Sequence, residues 1–190
     1  MHTPGHTSSR ARWRGFTLVE LMVTLAIVVI LATVGVPAMS QFLVTQRAKA
    51  DADSLAAALR LARTEAVKRS GPVSICPLPA NFNPASPACV STTTTDWSHG
   101  WMVFVDHDNS GGEDGAFESD RDTILRVEQN VRSAKAENSQ TFKAITFMAN
   151  GISSSAAGTF TVGPSTNTPN QSLKLTVSRQ GRVTQEAWTS

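Results

Sequence analysis

The first fifteen residues contain no acid, while Arg10, Arg12 and Arg14 stand among them. The formal net charge of +2 therefore misleads: without that stretch 14 basic residues face 15 acidic ones, which excludes a globally basic nucleic-acid binder. Catalytic signatures are missing as well. No Walker loop, HExxH, GxSxG or CxxC occurs, and two of the four histidines, His2 and His6, lie in the basic leader, leaving only His99 and His107 in different loop settings. That is poor material for an enzyme. A mean hydropathy of −0.12, with nine Pro and twelve Gly, excludes a polytopic membrane protein, and 41% hydrophobic residues exclude a largely disordered chain. In 190 residues, one anchored, folded domain is what remains.

Phe16 to Val36 is an apolar run with a single charge, Glu20. As a helix it would measure about 30 Å, the thickness of a bilayer's hydrocarbon core, with the basic leader held on the cytoplasmic side. It is too long for an ordinary secretory signal. A carboxylate inside such a run costs about 2.5 to 3.5 kcal/mol on insertion scales, so Glu20 needs a partner.

Arg14-Gly15-Phe16-Thr17-Leu18-Val19-Glu20 resembles the class III signal of type IV pilins and of the pseudopilins of type II secretion systems. The resemblance implies that a membrane-embedded prepilin peptidase cuts between Gly15 and Phe16 and N-methylates Phe16, leaving 175 residues. Glu20 then lies at i+4 from the new α-ammonium, on the same helix face. In a filament the family uses this carboxylate to meet the N-terminus of a neighbouring subunit. Pro37 follows the run, and a proline inside a helix predicts a kink or local melting there, a place where pilins similarly carry one.

Ala48, Ala52, Leu55, Leu59, Ala62 and Ala66 recur at three- and four-residue spacing, predicting an amphipathic helix with a narrow apolar stripe. Ser70-Gly71-Pro72 stops it. Beyond Pro72 the pattern changes to short strand-like runs: Val73 to Cys76, Trp101 to Asp106, Ile124 to Glu128, Ala144 to Met148, Thr159 to Val162, Leu173 to Ser178 and Arg182 to Gln185. Their spacing leaves no room for crossover helices, so the sheet is expected to be mostly antiparallel. Leu78 to His99 and Gly163 to Gln171 read as loops. The expected fold is α+β and pilin-like, a long N-terminal helix packed on antiparallel sheet. Its parts are a removed leader (1–15), the helix (16–70, with 16–38 in the membrane) and a periplasmic β domain (71–190).

Leu61-Ala62-Arg63-Thr64-Glu65-Ala66-Val67, Val73-Ser74-Ile75-Cys76, Gly100-Trp101-Met102-Val103-Phe104-Val105-Asp106 and Gly181-Arg182-Val183 look like the FimT/GspH group of minor pseudopilins. The resemblance implies assembly from the bacterial inner membrane into a type IV pilus or a type II secretion pseudopilus. Its partners would be the prepilin peptidase and other major and minor pilins or pseudopilins. Cys76 and Cys89, in a domain exported past that membrane, favour a disulfide closing a 14-residue loop.

Two further constellations carry candidate ligands. The acidic stretch from Asp106 to Gly115 approximates a calcium loop, with Asp106, Asp108, Ser110 and Asp114 as oxygen donors and Phe117 where a bidentate Glu is wanted. An acidic hairpin of good turn residues is the alternative, and no other cofactor is indicated. Lys174, Arg179 and Arg182 are the basic candidates. FimT-type proteins bind DNA during natural transformation through a C-terminal Gly-Arg-x-Arg; here Gly181-Arg182-Val183 matches and Thr184 replaces the second Arg.

Overall fold

In a computed structural model, residues 16–107, 115–129, 131–133, 135–153, 158–164 and 171–188 are described, without the side chains of 34–38 and 135. The chain divides into two units, Met1–Ser40 and Gln41–Ser190. One helix, α1 (Leu18–Arg69), contributes to both.

In the first unit, α1 begins immediately after Thr17 and presents apolar side chains outward: Leu18 to Thr33 are exposed throughout. Among the described residues no helix is long and apolar enough to cross a membrane. The described side chains of the run stop at Thr33, sixteen residues into the helix, short of the about 20 that a span requires. Helical backbone continues through Pro37, so the proline does not end α1. The kink expected there falls on residues 34–38 and lies outside the described side chains.

In the second unit the alanine-rich stripe behaves as its spacing predicts. Ala48, Ala52, Leu55, Leu59, Ala62 and Ala66 are all fully buried. Small side chains let the helix lie close against β-structure, and the face opposite supplies Ile75, Val103, Phe147, Phe160 and Leu175 to the same core. A Schellman arrangement ends α1. Gly71 N–H donates to Ala66 O at 3.2 Å and Ser70 N–H to Val67 O at 3.3 Å. Ser70, with φ 52°, is the residue that takes the left-handed conformation.

Among the described residues the β-structure forms two sheets. The strands are β1 (Val73–Pro77), β2 (Thr94–Asp96), β3 (Trp101–Val105), β4 (Thr123–Glu128), β5 (Lys135–Phe142), β6 (Ile145–Phe147), β7 (Thr159–Gly163), β8 (Leu173–Val177) and β9 (Val183–Ala187). The orders are β4-β3-β1-β6 and β2-β5-β7-β8-β9, and every pairing is antiparallel. Two strands depart from the sequence reading. β2 lies inside the stretch expected to be a loop, and β5 joins the second sheet without an apolar alternation to announce it.

The first sheet is covered on both faces. Trp101, Val103 and Val105 join the core that contains the helix stripe, whereas Met102 and Phe104 point the other way and join Cys76, Leu78 and Ala144. Phe82, Cys89 and Phe117 close over this second cluster. The loop after β1 is therefore a lid on the sheet, held by the Cys76–Cys89 disulfide and by Val90 N–H donating to Pro77 O at 3.1 Å.

Candidate functional site

At the N-terminus of α1 the chain caps itself. Thr17 Oγ1 accepts the Glu20 N–H at 3.2 Å, and Thr17 O accepts the Leu21 N–H at the same distance. Thr17-Leu18-Val19-Glu20 has the spacing of a capping box, with Thr17 at the cap and Glu20 three positions into the helix. Glu20 thus stands in the first turn, where the helix dipole favours a negative charge, and its side chain is exposed. Phe16, the expected new first residue, is also exposed, at 82%. Gly15, the other half of the expected cleavage site, lies outside the described residues.

In the second unit, three basic side chains approach two tight turns. Arg63 of α1 donates from Nε to Gly151 O at 3.2 Å. Gly151 and Gly181 both have positive φ, 74° and 75°. A Cβ on Gly181 would lie 2.3 Å from Gly151 O and 2.9 Å from Arg63 Nε. The turn between β8 and β9 is thus docked on the turn after β6, with a guanidinium against both. Ser153 N–H donating to Arg179 O at 2.9 Å adds a second tie.

Arg179 and Arg182 are exposed on that β8–β9 turn, and neither they nor Arg63 form an ion pair among the described residues. Lys174 is exposed on β8 and sits opposite Glu186 of β9. The sequence reading grouped Lys174, Arg179 and Arg182 and missed Arg63, which lies more than a hundred residues away in the chain. Only the fold brings it to the turn.

The candidate calcium ligands do not form a described site. Asp108, Ser110 and Asp114 lie outside the described residues. Asp106 is buried, and its Oδ2 accepts a hydrogen bond from Ser74 Oγ at 3.0 Å, with Thr146 Oγ1 2.7 Å from that same hydroxyl. Among the described residues no His, Cys, Asp or Glu cluster could hold a metal. The base of this loop is instead cinched by Asp122, whose carboxylate accepts the His107 N–H at 2.9 Å and the Glu118 N–H at 2.8 Å.

Asp51 is a second buried carboxylate that sequence spacing did not flag. It sits on α1, and its Oδ2 accepts the N–H groups of both Arg132 and Ser133, the first at 2.8 Å. Those two residues belong to the connection between β4 and β5, so Asp51 and Arg63 each fasten the helix to a different sheet connection.

Residues 51–181, most of the chain and most of this second unit, match the family model described as type II transport protein GspH. The chain belongs to the GspH family. The matched stretch of this GspH chain begins at Asp51 and ends at Gly181, both of which take part in the contacts above. Residues 14–36 match the prokaryotic N-terminal methylation motif. Two crystal structures of the type IV minor pilin FimU from Pseudomonas aeruginosa are similar to this GspH chain in fold. One superposes with a TM-score of 0.53 at 24% identity, covering 74% of this chain and 89% of FimU. The other gives 0.51 at 23% identity, covering 73% and 91%. No curated protein matches the chain significantly. Family and fold are those of pilin-type structural proteins.

Proposed function

We propose that the protein is a minor pilin or pseudopilin, processed by prepilin peptidase between Gly15 and Phe16 and N-methylated on Phe16. It is anchored by 16–38 in the bacterial inner membrane, with 71–190 in the periplasm, and assembles into or primes a type IV pilus or a type II secretion pseudopilus. The observation that carries this reading is the methylation motif over residues 14–36, which brackets the cleavage site and the whole apolar run up to Val36. Its role is structural: Glu20 meets the N-terminus of a neighbouring subunit, and no residue acts as a catalyst. Mass spectrometry of the membrane form tests it, with a 175-residue methylated chain beginning at Phe16 expected. An intact Met1, or cleavage beyond Val36, would overturn the reading.

A second reading, capture of DNA during uptake, gains from the position of Arg63. Its guanidinium lies at the β8–β9 turn, where Thr184 leaves the Gly-Arg-x-Arg pattern one base short. Arg63, Arg179 and Arg182 could neutralise about three phosphates, giving a slope of log affinity against log salt near 2.7 in magnitude. Duplex binding by the full chain at low salt tests it. Binding that survives Arg179→Ala/Arg182→Ala unchanged removes this patch from the function.

A further inference from the structure

Among the described residues each sheet ends in two edge strands, and an edge presents backbone N–H and C=O groups that can pair with another chain. Three of these edges are blunted. β4 carries a bulge in its pairing with β3 and an Arg126–Glu128 ion pair at 3.3 Å. β2 has three residues and a register shift of its own. β6, also of three residues, is followed by a return of the chain that pairs Ser153 with Phe147. β9 has none of these devices: its five residues pair in unbroken register with β8, without proline or bulge. Its one charge, Glu186, stands opposite Lys174.

The hydrogen bonds at the two ends of β9 fix which way its backbone faces. Arg182 O accepts the Ser178 N–H at 2.9 Å, and Trp188 N–H donates to Ser172 O at 3.0 Å. Bonded and non-bonded positions alternate in an antiparallel ladder. Arg182, Thr184, Glu186 and Trp188 therefore turn toward β8, while Val183, Gln185 and Ala187 turn away from it. Among the described residues no strand pairs with those three outward N–H and C=O groups.

Turned about Gln185, this edge is complementary to itself. An antiparallel second copy puts Val183 opposite Ala187, Gln185 opposite Gln185 and Ala187 opposite Val183. Every outward group then meets an outward group, and each facing pair exchanges two hydrogen bonds. The positions between them set Glu186 opposite Thr184, so no like charges meet, and Arg182 opposite Trp188, a cation against an aromatic ring. A slip of one residue would set outward groups against inward ones.

We infer that β9 is a dimerisation edge that takes β9 of a second copy of this chain, antiparallel and centred on Gln185. The two five-stranded sheets then run on as one continuous sheet. The pairing closes the edge left open to indiscriminate strand addition, and it joins two subunits independently of the exposed apolar helix. It goes beyond the pilin reading and does not depend on it.

Sedimentation equilibrium of the full chain in detergent, over a range of concentrations, tests the edge. Wild type should pass from monomer to dimer as concentration rises. Gln185→Pro removes an outward N–H and no bond to β8, and Gln185→Lys sets two like charges face to face. Each should weaken dimerisation about tenfold or more, with the circular dichroism spectrum and the Cys76–Cys89 bridge unchanged. Gln185→Glu alone should dimerise as poorly, and a mixture of the Lys and Glu variants should regain the dimer, because the two-fold contact then joins opposite charges. If Gln185→Pro unfolds, the Lys and Glu variants, which keep every backbone bond, decide. Wild type that stays monomeric overturns the inference. So does a dimer that the Gln185 substitutions leave intact, which assigns self-association to the exposed apolar helix. Lys and Glu variants that dimerise no better mixed than alone overturn it too, and assign the edge to a strand of a different protein.

Discussion

Gly181 owes its place to what surrounds it. With φ 75° and a would-be Cβ 2.3 Å from Gly151 O, it accepts neither a left-handed side chain nor the space one needs. Gly181→Ala should therefore cost about 2–3 kcal/mol in denaturant unfolding, whereas Arg182→Ala should change stability by less than about 0.5 kcal/mol. In the sequence Gly181-Arg182-Val183 was legible as part of the family resemblance and as a ligand motif; that the glycine also serves packing depends on Arg63 and Gly151, which spacing cannot bring together. Thr17 is the opposite case. The Thr-x-x-Glu spacing is open in the sequence, and the cap is where it says, but the hydrophobic run and the signal resemblance drew the reading to Glu20 alone. Glu20→Ala should insert in membranes at least as well as wild type, because a charge is removed from the run, while incorporation into filaments falls. Co-sedimentation with filaments measures the difference, and wild-type incorporation would remove the docking role.

The ends of the elements were less legible than their interiors. The stripe from Ala48 to Ala66 was readable because a 3.6-residue period is imposed by burial on one face. Its terminus was marked by Ser70-Gly71-Pro72, yet the left-handed position falls on Ser70 and not on the glycine beside it. Ser70→Gly should raise stability by about 1 kcal/mol, since glycine adopts that conformation without strain. Near the same end, the Arg69 hydrogen bond, reinforced by Lys68, holds the Glu65 carboxyl below its usual value of 4.5 despite partial desolvation. A depressed carboxylate stabilises above its unfolded pKa and loses that contribution as pH falls through the folded one. Glu65→Gln should therefore melt lower than wild type at neutral pH, and the gap should close as the medium is taken below about 4.5. β5 was missed because Lys135–Phe142 buries Ala136 and Asn138, a small and a polar side chain, where an alternation of large apolar ones would have given the signal. Pairing with β7 and β2 makes it a strand.

For the molecule as a whole, the α+β class and the antiparallel pairing followed from strand spacing, but the division into two sheets did not. That division depends on which strands pair across long separations, such as β1 with both β3 and β6. The disulfide matters at this scale because the loop it closes covers Met102 and Phe104. Cys76→Ala/Cys89→Ala should cost about 3 kcal/mol, the chain-entropy value for a loop of this length, and should increase binding of a hydrophobic dye to the folded protein. Urea unfolding with and without reductant measures the first. A wild type insensitive to complete reduction would contradict it.

A pull along α1 would meet two kinds of resistance. The alanine and leucine stripe is smooth, and dispersion contacts along it reform readily when one surface slides on another by a turn. Asp51 and Arg63 do not slide. They lie twelve residues apart on the helix, about 18 Å of rise, and each holds backbone atoms of a different sheet connection. They work as shear pins: axial tension strains both at once, and the helix begins to draw out of its unit only after two well-separated fastenings have broken.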